Sequence, residues 1–250
     1  METDWKTCLQ KVAGILHEVG FESHPFKIAW YNMNIKPIFY LDYAEDTLAV
    51  VIISTPAMYE KAFKPFICKR DCLGVKDPID ECIEHYFAKV KEAFPENEVI
   101  SIHDYELHGG TRRPKVLVQT AAHVAGAARY YQRSDLTTDP WEEKKKIFGV
   151  SVHPKYGGWF AIRGVLIFKD VLCSDLQRKE PPDVVPTDEL KKELLERYNF
   201  HWQDWSFRDI IPVENRYSEE QKTYFSTLPK DRLQLLNSLK SDASNIDNTL

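Results

Sequence analysis

Apolar residues recur at steps of three and four through Trp5, Cys8, Leu9, Val12, Ile15, Leu16 and Val19. That spacing predicts a first helix, with Asp4 able to cap its start and Gly20 closing its end. Lys27–Tyr31 and Thr47–Ser54 read as strands, and the second is so apolar that both of its faces should be covered. Thr55 and Pro56 open a short helix that Pro65 limits. Asp77-Pro78 opens a longer one, whose stripe of Ile79, Cys82, Ile83, Tyr86, Phe87, Val90 and Phe94 runs to Pro95.

In the middle third, Glu98–Tyr105 and Lys115–Thr120 look like strands joined by the turn Gly109-Gly110. Ala121–Arg133 reads as an alanine-rich helix, and Gly149–His153 with Trp159–Phe168 as a hairpin around Pro154 and Gly157-Gly158. A polar stretch with Pro181, Pro182 and Pro186 reads as a surface crossing. Helices then begin near Thr187, Ser218 and Pro229, with Ser218 and Gln221 matching a capping box. Strands and helices interleave without a regular βαβ period, which predicts an α+β sandwich. The expected organisation is one domain over residues 1–240, with a C-terminal helical lobe over 187–240 and a disordered tail over 241–250.

Composition adds exclusions. At 250 residues, 43% hydrophobic and 28% charged, the chain is neither wholly disordered nor collagen-like. The longest apolar run, Leu48–Ile53, is far short of the ~20 residues that span a bilayer, and the N-terminus lacks the form of a secretory signal. A net charge of −5 argues against binding to nucleic-acid backbones. The five cysteines, Cys8, Cys68, Cys72, Cys82 and Cys173, contain no CxxC pair, so reduced and mostly buried cytosolic thiols are expected rather than structural zinc. P-loop, Rossmann, nucleophile-elbow and HExxH motifs are absent, which removes the standard kinase, dehydrogenase and hydrolase readings.

Three segments hold the remaining chemistry. Around His123, the residues Ala122, Ala125, Gly126, Ala127 and Ala128 leave little side-chain bulk. Either this is close helix–sheet packing around a core imidazole, or a flat surface for a large planar ligand. Arg163 is a permanent cation in an apolar strand, so it needs an internal carboxylate or an anionic ligand. Asn199–Asp209 interleaves aromatic and polar residues and reads as a lid or an interface.

At these places the sequence resembles one family. Pro25-Phe26-x3-Trp30-Tyr31-Asn32, Ser54-Thr55-Pro56-Ala57-Met58, Gln119–Ala128, Gly157–Gly164 and Arg216–Lys222 are similar to the CblC family of cytosolic vitamin B12-processing proteins, over about residues 5–240. The resemblance implies a modified flavin-nitroreductase-like α+β sandwich, with an antiparallel central sheet and flanking helices. It implies that cobalamin is bound with its lower base detached from cobalt, and that the upper ligand is removed. Cyanide would leave reductively with a reduced flavin (FMN or FAD, fed by NADPH) or a thiol as donor, and alkyl groups would pass to glutathione. A CblD-type adapter on the way to methionine synthase and methylmalonyl-CoA mutase would be the partner. The chain would be a monomer or a ligand-dependent dimer.

Carried over position by position, the resemblance assigns corrin contacts to Asp104, Val116, Leu117, Val118, Gln119, Tyr130, Tyr131, Gln132, Ser151 and Ile162, with His123 nearby to orient the substrate. It assigns glutathione anchoring to Arg163, Arg208 and Arg232, whose guanidinium forks suit carboxylates. Two departures qualify the picture. Other cobalamin enzymes ligate cobalt through Asp-x-His-x-x-Gly, but Ala121 stands where that acid would be, so His123 is not expected to ligate cobalt. Arg129 is an additional cation beside Tyr130, expected to be solvated. A non-catalytic cobalamin escort and a flavin nitroreductase are the competing readings.

Overall fold

The computed structural model describes residues 4–69 and 77–247; Cys72 lies outside them. In chain order its elements begin with α1 (Trp5–Leu16), β1 (Phe21–Lys27), α2 (Ile28–Asn32), β2 (Thr47–Ser54), α3 (Lys64–Cys68) and α4 (Pro78–Ala93). There follow β3 (Val99–His103), α5 (Val118–Val124), β4 (Arg129–Tyr131), β5 (Val150–Val152) and β6 (Ala161–Leu172). The chain ends in α6 (Asp188–Phe200), α7 (Glu219–Ser226) and α8 (Arg232–Asp247).

The central sheet has the order β1-β2-β6-β3 and is antiparallel throughout. Alternate residues of β2 enter opposite cores, which is why the whole strand is apolar. Leu48, Val50 and Ile52 meet Leu166, Phe168 and the stripes of α1 and α4. Ala49, Val51 and Ile53 meet Val165, Ile167, Tyr31 and the alanines of α5. The α4 stripe is buried as its spacing predicts, and Asp77 caps the helix by accepting from the Ile79 amide at 2.9 Å. A separate two-stranded sheet, β4-β5, packs with Val185, Leu194, Leu195 and Phe207 in a third cluster. Helices α6 and α7 begin where expected, capped by Thr187 and Ser218, which accept from the amides of Leu190 and Gln221.

The sequence pattern misplaces several elements. Asp4 sits at the start of α1 without a side-chain bond to the helix amides. Lys27–Tyr31 is not a strand: β1 ends at Lys27, and α2 follows, burying Ile28 and Tyr31 one turn apart. Asn32 then closes a loop by bonding both the carbonyl and the amide of Leu41 at 3.0 Å. Pro65 does not stop a helix opened at Pro56. A wide π turn over Tyr59–Phe63 runs into α3, where Pro65 has no amide to donate to the Lys61 carbonyl.

Lys115–Thr120 forms no strand; the Gly109-Gly110 turn is closed by a single bridge between Leu107 and Pro114. The helix expected over Ala121–Arg133 is instead α5, beginning at Val118 and ending at Val124. Gly126 turns the chain at φ 73°, with Lys179 so close that a Cβ there would lie 2.5 Å from its carbonyl oxygen. The chain therefore leaves as a strand, which carries Tyr130 and Tyr131. The expected hairpin also divides between sheets: β5 pairs with β4, while β6 joins the central sheet. Pro181–Pro186 has no regular structure, but Val185 within it is fully buried. The last helix runs to Asp247, past residue 241 where the sequence suggests a tail.

Candidate functional site

A cavity of about 1050 Å³ opens between the start of β6, the end of α6, the 202–209 turns and the α7–α8 junction. Its walls include Tyr198, Trp202, Trp205, Phe207 and Tyr217, and it gathers Arg163, Arg208 and Arg232 from three distant segments. Asn199–Asp209, read from sequence as a lid or an interface, supplies one wall.

Arg163 reaches the cavity through an irregularity in the sheet. Ile52 faces Gly164 and Ile53 faces Ile162, so Arg163 has no partner on β2. The one-residue shift is a β-bulge, a device that re-aims side chains. Ile162 packs with the α5 core, while Arg163 lines the cavity. Arg163 is 9% exposed, and its Nε donates to Ser54 Oγ at 2.8 Å. Among the described residues it has no ion-pair partner, which favours the anion-site alternative over the internal salt bridge. Acidic groups lie further off. Burial first, then repulsion from Asp77 and Asp104, pushes the Asp80 carboxyl up to about 6 against the pull of Arg163.

Arg208 is caged. The rings of Trp159, Trp205, Phe207 and Tyr217 lie 5.0–5.7 Å from its guanidinium carbon, and its Nη1 donates to the Gly158 carbonyl. A Cβ on Gly158 would lie 2.7 Å from Arg208 Cα, so the Gly157-Gly158 pair serves the approach of this turn. Trp205 adopts φ 64°, the left-handed region, to place both itself and Arg208. Arg232 donates from Nη1 to Asp77 Oδ2 at 2.6 Å and from Nε to the Thr227 carbonyl at 3.0 Å. The sequence reading took Asp77 only as a helix cap and missed this second role. It also missed Ser54 as a partner of Arg163 and Tyr198 as part of the wall, since neither carries a local signal.

The expected corrin contacts fall into groups. Tyr130 pairs with Ser151 across β4-β5, and the Tyr130 amide donates to His123 Nδ1 at 3.1 Å. Ser151 Oγ is buried without a hydrogen-bond partner among the described residues. Val116, Leu117, Val118 and Ile162 share the α5 core, and α5 joins them to the first group. Leu117 is held by its amide, which donates to Tyr31 Oη at 2.8 Å. Asp104 stands past the end of β3, its amide bonded to the Arg163 carbonyl at 3.3 Å. Gln119 and Gln132 are exposed, and Gln132 also caps the short helix at Arg133–Asp135.

Tyr131 is fully buried, so it supports this surface from beneath; its hydroxyl donates to Asp183 at 2.8 Å. Arg129, expected to be solvated, is only partly so, with its side chain 31% exposed. It lies over the Tyr131 ring, with Nη2 at 3.5 Å from Asp183 and Nε buried.

Because His123 Nδ1 accepts a backbone N–H, the neutral ring carries its proton on Nε2, which lies 3.8 Å from Glu180 Oε2. Burial, aided by Arg129 and Arg178, lowers its pKa, while Glu180 pulls the other way.

A second polar cluster escaped the sequence reading. Glu22 Oε2 lies 3.1 Å from His24 Nε2 and 3.3 Å from His153 Nε2, and Glu22 Oε1 accepts from Tyr156 Oη at 2.8 Å. Burial raises the Glu22 pKa, but bonds from His153, His24 and Tyr156 outweigh it and hold the carboxyl well below its usual range. The three groups are close enough to surround a metal ion. His153 Nδ1, however, accepts the amides of Lys155 and Tyr156 at 3.1 and 3.3 Å, which puts its proton on Nε2. Metal at Nε2 would drive that proton to Nδ1, against two N–H donors. The cluster therefore fastens β1 to the 153–157 loop by hydrogen bonds.

Among the described residues no helix is long and apolar enough to cross a membrane. A chicken protein named cyanocobalamin reductase / alkylcobalamin dealkylase is 56% identical over 227 residues, covering 91% of this chain and 94% of its own. The human protein of that name is 49% identical, covering 91% of this chain and 80% of its own. The crystal structure of a Caenorhabditis elegans B12-trafficking protein CblC, described as a human MMACHC homologue, superposes with a TM-score of 0.83 at 34% identity. That match covers 94% of this chain and 96% of the other. The model of the methylmalonic aciduria and homocystinuria type C family matches residues 20–236, and the chain belongs to that family.

Proposed function

We propose that this protein is an enzyme that binds cobalamin base-off and removes its upper axial ligand, by reductive decyanation of cyanocobalamin and by glutathione-dependent dealkylation of alkylcobalamins. The names of its relatives support the two reactions. The observation that carries the glutathione assignment is the convergence of Arg163, Arg208 and Arg232 in one aromatic cavity. Glutathione has two carboxylates, and a cage of oriented guanidinium groups suits it. A simple escort would have no use for such a site, so the enzyme reading is preferred.

In the dealkylation, the thiolate attacks the cobalt-bound carbon. A carbon–sulfur bond forms as the cobalt–carbon bond breaks, and the electron pair stays on cobalt as Co(I). The arginines would hold the tripeptide's carboxylates and favour its thiolate. Tyr130, Ser151, Leu117 and Ile162 would face the corrin, with the unpartnered Ser151 hydroxyl available to a side-chain amide. His123, its Nδ1 already occupied, offers cobalt no lone pair and serves to orient the substrate. A five-coordinate centre without a lower donor is easier to reduce.

For decyanation the electrons would come from a reduced flavin, FMN or FAD, itself reduced by NADPH; the flavin is treated as a co-substrate and no residue is assigned to it. The nitroreductase-like character of the sandwich, the single-domain organisation, the cytoplasmic location, the CblD-type adapter and the ligand-dependent dimer belong to the same reading. The test is the visible spectrum of cyanocobalamin and methylcobalamin mixed with purified protein, with and without glutathione. A shift to the base-off bands, followed by glutathione-dependent formation of Co(I) or Co(II) from methylcobalamin, is expected. An unchanged spectrum would overturn the proposal.

A further inference from the structure

The three arginines of the cavity are not equivalent. Arg163 is held by a neutral hydroxyl and Arg208 by a carbonyl and aromatic rings, whereas Arg232 carries a carboxylate partner. Asp77 divides its two oxygens: Oδ1 accepts the Ile79 amide and caps α4, while Oδ2 takes Arg232 Nη1 at 2.6 Å. The two residues are 155 positions apart, and the Arg232 side chain is only 12% exposed. With Nε on the Thr227 carbonyl and the Tyr224 ring 4.8 Å away, two of the three guanidinium nitrogens are committed to the protein. Arg232 nevertheless lines the cavity. Asp77 also offsets one of the three positive charges gathered at the cavity.

We propose that Asp77 is a positioning residue for thiol binding. It fixes Arg232 at the cavity wall and trims the site's charge to suit a dicarboxylate thiol, while separately capping α4. This rests on the glutathione reading above. The predicted consequence is selective: loss of the Asp77–Arg232 contact weakens glutathione binding without disturbing chemistry once the thiol is bound.

The test separates the two roles of Asp77. Serine caps a helix nearly as well as aspartate but cannot reach Arg232 as a carboxylate. Asp77→Ser should raise the glutathione KM for methylcobalamin dealkylation roughly tenfold, with kcat at saturating glutathione within about twofold of wild type. Asp77→Asn, which keeps both the cap and an oxygen facing Arg232, should restore part of the loss. Decyanation by reduced flavin should be unchanged in both variants. In an Arg232→Gln background, Asp77→Ser should add no further increase, because it acts through Arg232. If Arg232→Gln raises KM and Asp77→Ser does not, the positioning role is wrong. Should Arg232→Gln itself leave KM unchanged, the glutathione reading fails first. If Asp77→Ser unfolds, Asp77→Asn still decides the matter, since it keeps the cap and lacks the charge, and a wild-type KM in that variant overturns the proposal.

Discussion

The backbone amide of Tyr130 donates to Nδ1 of His123 at 3.1 Å. A neutral imidazole held this way keeps its proton on Nε2, and therefore has no lone pair for cobalt. The missing acid at Ala121 points in the same direction from sequence alone. Electron paramagnetic resonance of the Co(II) form bound to the protein should show no nitrogen superhyperfine splitting. Clear splitting that disappears in His123→Ala would refute this.

Arg163→Gln should raise the glutathione requirement of dealkylation by about one to two orders of magnitude, since a charge-assisted hydrogen bond contributes roughly 1.5–3 kcal/mol. Methylcobalamin affinity should change much less. Decyanation by reduced flavin is the internal control, because it involves no glutathione carboxylates. Equal losses in both reactions would indicate a folding or corrin defect instead.

Phe87 lies on the buried stripe of α4, is 1% exposed and stacks on His103 at 4.7 Å. Phe87→Ala should cost ~3–5 kcal/mol in urea unfolding. A loss below ~1 kcal/mol would mean that the surrounding core closes over the gap.

Asp80 gives a pH signature. Its carboxyl is pushed up to about 6 in the folded protein, against an ordinary 3.8. The folded state thus holds this proton longer than the unfolded state does. Any stability tied to it is present below pH ~4 and is lost as pH rises through about 6. Asp80→Asn should match wild type at pH 4.5 more closely than at pH 7.5, where it should be more stable by on the order of 1 kcal/mol. Chemical denaturation of both proteins across that range measures the difference. A constant offset would show that Asp80 does not titrate between these limits.

The α4 stripe and the apolar run of β2 were legible because each is a one-dimensional pattern with a single structural solution. The segment from Lys115 to Arg133 was not. Its alanines suit a helix, and nothing local announces that Gly126 must turn the chain beside Lys179, 53 positions later. The same limit applies to the site. Arg163 stood out as a charge among apolar neighbours, but Ser54 and Asp77 are ordinary residues at a strand end and a helix cap. Their importance comes from which arginine the fold brings to them. Arg208 and Arg232 entered only through family likeness, because arginines in polar segments carry no mark of their own.

The register shift at β6 separates two demands on the same strand. Ile162 and Gly164 satisfy the ladder with β2, and Arg163 is supernumerary to it. Deleting that one position would bring Ile162 and Gly164 into consecutive pairing, leaving a continuous sheet with no cation at its end. The sheet could therefore exist without Arg163, which reaches the cavity without compromising the paired core. A one-residue deletion here should yield a folded protein that has lost thiol chemistry, whereas deleting a paired neighbour such as Val165 would reverse the faces of the remaining strand and destroy both.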